Sequence, residues 1–83
     1  MNIKKITPQE MINFSREKII DLVSIGQLAK KWHDSIFVKI EPSVYKNKES
    51  WKIIFQINSE REIRELLMYI STKGDFVAAN FND

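Results

Sequence analysis

The chain has no cysteine at all. A disulfide framework and a thiolate metal site are therefore both excluded. Small secreted domains usually rely on such staples, so a reducing, cytoplasmic location is expected. Glycine and proline are equally scarce, two of each. Gly26 and Gly74 lie too far apart to form a phosphate-cradling loop. There is a single histidine, His33. No apolar run approaches the roughly 20 residues of a membrane-crossing helix. The start, Met1 to Ile6, carries two lysines with no apolar stretch behind them, so a signal peptide is not expected there. It reads as a short flexible or extended tail.

What is present suits one small folded domain over residues 1–83. Hydrophobic residues make up 43 %, with five Phe, two Trp and two Tyr to fill a core. That content and a net charge of only +2 exclude disorder. The charges are unevenly spread. Lys30, Lys31, Lys39, Lys46, Lys48 and Lys52 face three acids, Asp34, Glu41 and Glu49, within residues 30–52. Beyond Ile53 the acids prevail, which implies a polarised surface. Abundant Ile, Lys and Asn with little Gly and Pro reflect an AT-rich genome, so a bacterial or phage source is expected.

Thr7-Pro8-Gln9-Glu10 is a capping box with proline at the first helical position. Apolar spacing then predicts helix over 8–33, bent or broken at Gly26. Two alternating strands follow. Ser35–Glu41 places Ile36, Val38 and Ile40 on one face and Phe37 and Lys39 on the other, and Pro42 is expected to end it. Trp51–Asn58 sets Trp51, Ile53, Phe55 and Ile57 against Lys52, Ile54, Gln56 and Asn58. A long basic loop between them, including Val44–Glu49, completes an antiparallel hairpin. Ser59-Glu60-Arg61-Glu62 is a second capping box, and Ile63, Leu66, Leu67 and Ile70 fall at i, i+3, i+4, i+7. A second helix ending at Lys73-Gly74 is therefore predicted, then a strand over 76–81. The expected fold class is α+β in the order α-β-β-α-β. A right-handed crossover would set the last strand parallel to Trp51–Asn58, in a three-stranded sheet with both helices on one face.

Two short resemblances bear on function. Ser24-Ile25-Gly26-Gln27-Leu28-Ala29-Lys30-Lys31 resembles the opening of helix-turn-helix segments in MerR-type and excisionase-type DNA-binding proteins. There a Gly-Val-Ser turn and a recognition helix follow, whereas here Trp32-His33-Asp34-Ser35 and a strand follow. The order α-β-β-α-β resembles a shortened type II KH domain without its Gly-x-x-Gly loop. Neither match identifies a family.

His33-Asp34-Ser35 contains the residue types of a nucleophilic triad, but adjacent side chains point different ways. A helix C-terminus would favour His33 as a capping cation. No metal or other cofactor is expected: His33, Asp34 and Glu41 match no ligand spacing, and the acids of 60–65 suit i,i+4 pairs with Arg61 and Arg64. Cations and aromatics do interleave on the hairpin at 35–58. The candidate binding set is Phe37, Lys39, Lys52, Ile54 and Gln56 on the uncovered sheet face, with Tyr45, Lys46 and Lys48 in the loop. Trp51 and Trp32 are expected in the core. An uncovered face carrying Phe37 and Ile54 suits a protein partner or self-association, as in a small non-enzymatic regulator or inhibitor. Lysines beside rings equally suit single-stranded RNA or DNA, the alternative reading. A small nuclease centred on His33 is the third.

Overall fold

The computed structural model of the chain describes residues 6–58 and 63–81. Helix α1 (Pro8–Ser24) leads through a 3₁₀ turn (Lys30–Asp34) into strands β1 (Ile36–Tyr45), β2 (Lys48–Asn58), β3 (Ile63–Ser71) and β4 (Phe76–Phe81). The strands form one antiparallel meander in the order β1-β2-β3-β4. The α+β class holds. The sheet has four strands rather than three, and the described residues contain one α-helix rather than two.

Helix α1 starts as its capping box dictates. Thr7 Oγ1 accepts from the Glu10 N–H at 3.1 Å, and Glu10 Oε1 accepts from the Thr7 N–H at 3.2 Å. It stops at Gly26, whose φ of +82° suits a residue without Cβ. The Gly26 N–H donates to the Val23 carbonyl at 3.1 Å and the Gln27 N–H to the Leu22 carbonyl at 2.8 Å. This is a Schellman closure, so the helix expected through residue 33 ends nine residues earlier. Ser24–Lys31 thus closes a helix instead of opening one, which removes the helix-turn-helix resemblance.

The segment expected as a second helix is strand β3. Leu66, Met68 and Ile70 are each at most 1 % exposed and alternate with half-buried Leu67 and Tyr69. Ile63, Leu66, Leu67 and Ile70 fit a helical stripe, but the same stretch also supplies apolar side chains to two sheet faces. An inner strand needs both. Pairing from Asn58↔Ile63 to Ser50↔Ser71 then satisfies the β3 backbone against β2. The capping box at 59–62 lies outside the described residues. Strand β4 hydrogen-bonds to β3 and not to β2, so the expected crossover and the KH-like order both fall away.

Strand β1 runs through Pro42, which an edge strand tolerates because its missing N–H can face away from the partner. A bulge between Phe37 and Lys39 shifts the register: Phe37 pairs with Phe55 and Lys39 with Ile54. The expected basic loop is only a two-residue turn. Lys46 and Asn47, with φ of 49° and 67°, form a type I′ hairpin between Tyr45 and Lys48.

The core lies between α1 and one sheet face. Met11 and Ile19 from α1, Leu28 and Trp32 from the turn region, and Ile53, Phe55, Leu66, Met68 and Ile70 from the sheet form one cluster. Ser15, also buried on α1, is small enough to let the helix approach the strands. Among the described residues, no helix is long and apolar enough to cross a membrane.

Candidate binding surface on the open sheet face

Cross-strand pairing assigns the side chains to faces, because opposed residues point the same way. Trp51, Ile53 and Phe55 share the α1 side with their partners Ile70, Met68 and Leu66. The intervening residues form the opposite face in successive rows. Lys39, Ile54 and Leu67 make one row, Glu41, Lys52 and Tyr69 the next, and Ser43, Ser50 and Ser71 the third. Tyr45 and Lys48 close the turn end, and Gln56 sits between Ile36 and Glu65 at the other.

Of the eight residues expected to bind, Lys39, Lys52, Ile54 and Gln56 lie on this face, with Tyr45 and Lys48 at its end. Lys46 sits in the turn, its Nζ 5.6 Å from the Tyr45 ring centre. Phe37 is the exception. The bulge turns it to the α1 side, where it meets Phe55 edge to face at 6.1 Å and 71°. Simple alternation through Val38 gave it the wrong side.

Ile54 is 5 % exposed although it lies on the face turned away from α1. Lys52 Nζ is 2.9 Å from Glu41 Oε1, and Lys39 Nζ is 3.6 Å from Glu41 Oε2. The Lys52 hydrogen bond, aided by the nearby Lys39, holds the Glu41 carboxyl below its ordinary pKa. The reciprocal bond from Lys52 to Glu41 holds the Lys52 ammonium above its ordinary pKa. Two of the expected cations are thus engaged within the protein.

Tyr69 is the main residue that sequence reasoning missed. Its ring centre is 4.6 Å from that of Tyr45. The two rings come from strands on opposite sides of β2 and sit diagonally about Ser50, which is 4 % exposed with its Oγ unpartnered. The alternation Leu67-Tyr69-Ser71 was the available signal, and the helical reading of that segment concealed it. A cleft of about 600 Å³ opens beside this pair, lined by Tyr45, Lys48, Ser50, Ser71, Lys73 and Asp75 among others.

The His33-Asp34-Ser35 run does not assemble a nucleophile. Ser35 is buried and its hydroxyl donates to the Trp32 carbonyl at 2.7 Å. Arg16 Nη1 donates to the Ser35 carbonyl at 3.1 Å, while its guanidinium sits 5.1 Å from the Phe55 ring centre. Arg16, Ile19, Ile20, Trp32 and exposed His33 line a shallow hollow of about 290 Å³. Among the described residues, no three His, Asp or Glu side chains cluster as metal ligands would.

Helix, meander and uncovered face define a small helix-on-sheet protein of order α-β-β-β-β. The chain belongs to a family of unknown function (DUF6488), which matches it over residues 2–83. No curated protein and no solved structure matches it.

Proposed function

We propose that the protein is a non-enzymatic binding module whose open sheet face docks a protein partner. The observation that carries this reading is the make-up of the face. Ile54 and half-buried Leu67 form one apolar patch of the face and the paired rings of Tyr45 and Tyr69 another, with the Lys52–Glu41 pair between them and Lys39, Lys48 and Glu65 beside them. Apolar side chains and tyrosine anchors set among charges are what protein interfaces are built from. His33 has no chemical role in this reading, and the lack of cysteine favours work in a reducing cytoplasm.

The single-stranded nucleic-acid alternative draws on Tyr45, Lys46 and Lys48, which keep cations beside a ring. It is weakened by the loss of Phe37 to the core and of Lys39 and Lys52 to Glu41. Photo-crosslinking in cells separates the readings. A crosslinking residue replacing Leu67 is expected to give discrete protein adducts absent when Asn13, on the exposed side of α1, is replaced instead. Adducts common to both positions, or none from the Leu67 position, reject the docking face. Nucleic-acid adducts there, with retention that weakens as salt rises, select the alternative.

A further inference from the structure

The hollow between α1 and the 3₁₀ turn has a chemistry of its own. Arg16, Ile19 and Ile20 of α1 and Trp32 and His33 of the turn line about 290 Å³, near the roughly 300 Å³ at which small-molecule sites begin. Ile19 and Trp32, each 2 % exposed, form its floor, and Ile20, 55 % exposed, stands at the rim. Arg16 is the charged group, and it is already held in place. Its Nη1 donates to the Ser35 carbonyl at 3.1 Å, and its guanidinium lies 5.1 Å from the Phe55 ring centre. The rest of its donor fork has no other partner among the described residues. Exposed His33 adds a second nitrogen-bearing side chain. No acid lines the hollow. Glu17 and Asp34, the chain neighbours of Arg16 and His33, stay outside it.

We propose that this hollow binds a small carboxylic acid with a compact apolar body, its carboxylate on Arg16 and its body against Ile19, Ile20 and Trp32. The site is separate from the open sheet face and does not rest on the docking reading. Charge complementarity selects an anion, because a guanidinium with unused donors is the charged group of an acid-free lining. A planar carboxylate matches the edge of the guanidinium fork. The side chain is already fixed by Ser35 and Phe55, so it has little freedom left to lose on binding. The apolar walls select the body. Free phosphate would give up its water to isoleucine and tryptophan side chains that replace none of its hydrogen bonds. An extended peptide finds no strand edge here, since the lining residues come from a helix and a 3₁₀ turn.

Titration of the full-length, ¹⁵N-labelled protein with phenylacetate tests this by nuclear magnetic resonance. The amide signals of Ile19, Ile20, Trp32 and His33 are expected to move and saturate at about millimolar concentration, as suits so small a ligand, while those of Tyr45, Lys48 and Ser71 stay in place. Phenylacetamide keeps the ring without the charge, and acetate keeps the charge without the ring. Each should bind about tenfold more weakly or worse, and inorganic phosphate should move none of these signals. Arg16→Gln should abolish saturation. Because that change also unties the Ser35 carbonyl, Ile20→Asp at the exposed rim serves as the fold-neutral variant. It sets an anion beside the bound carboxylate and should weaken binding about tenfold, with the rest of the spectrum unchanged. No saturation by phenylacetate, equal binding of phenylacetamide, shifts centred on the Tyr45 cleft, or unchanged binding by Ile20→Asp overturns the proposal.

Discussion

Phe55 is fully buried and meets Phe37 on one side and the Arg16 guanidinium on the other. Arg16 is in turn tied to the Ser35 carbonyl, so one ring links α1, the turn region, β1 and β2. Phe55→Ala is expected to destabilise the fold by about 3–5 kcal/mol, since a buried ring leaves a cavity its neighbours cannot fill. Urea denaturation with an unchanged m-value checks it, and a loss below about 1 kcal/mol contradicts the central place of the ring. The Glu41–Lys52 pair acts differently, being open to solvent and screened by salt. Glu41 titrates below its ordinary value in the folded state. Its contribution is therefore complete above that ordinary value and is lost as pH falls through the lowered one. Lys52, raised, contributes fully below its ordinary value and loses this as pH rises through the higher one. Glu41→Gln should thus melt lower than the wild type at neutral pH, with the difference closing in acid. A gap that stays constant down to pH well below the carboxylate range rejects the assignment.

Among the elements, the start of α1 was legible because its capping box is local chemistry, present in Thr7 and Glu10 themselves, whereas its end was not: Gly26 marked a bend or break, but helix was expected on through residue 33. Strand β2 was legible for a similar reason, as Trp51, Ile53, Phe55 and Ile57 alternate without interruption. Strand β3 was not. Arg64, Glu65, Leu66, Leu67 and Met68 are good helix formers by intrinsic propensity, and the apolar positions fit both periods. Pairing with β2 decided the outcome, and pairing is a tertiary fact. The β1 bulge hid Phe37 in the same way, because one extra residue moves everything before it to the other face. The hairpin turn offers a test at this scale. A left-handed conformation at Lys46 disfavours a side chain, and type I′ turns prefer Asn-Gly. Lys46→Asn with Asn47→Gly should stabilise the protein by about 0.5–1 kcal/mol, read as a higher urea midpoint. A lower midpoint would show that the turn is not of this type.

Across the whole molecule, the candidate surface was half legible: Lys39, Lys52, Ile54 and Gln56 follow from alternation in β2 and the outward side of β1, whereas Leu67, Tyr69 and Ser71 depend on a strand the sequence disguised. The covered face has a further consequence. Helix α1 is 17 residues long, near the limit below which an isolated helix is marginal in water, so its persistence depends on the sheet. Met11 and Ile19 reach the same cluster as Trp32, Phe55 and Met68, and no second core exists among the described residues to hold α1 alone. Helix and sheet should therefore unfold together. Trp32, 2 % exposed beneath this cluster, reports loss of the core by fluorescence, while far-ultraviolet circular dichroism reports chiefly α1. With Trp51 replaced by Phe to leave one indole, the two thermal transitions are expected to coincide. Loss of helical signal before the Trp32 transition would mean that α1 rests on the sheet without being held by it, and the open face would then not be the only uncovered side.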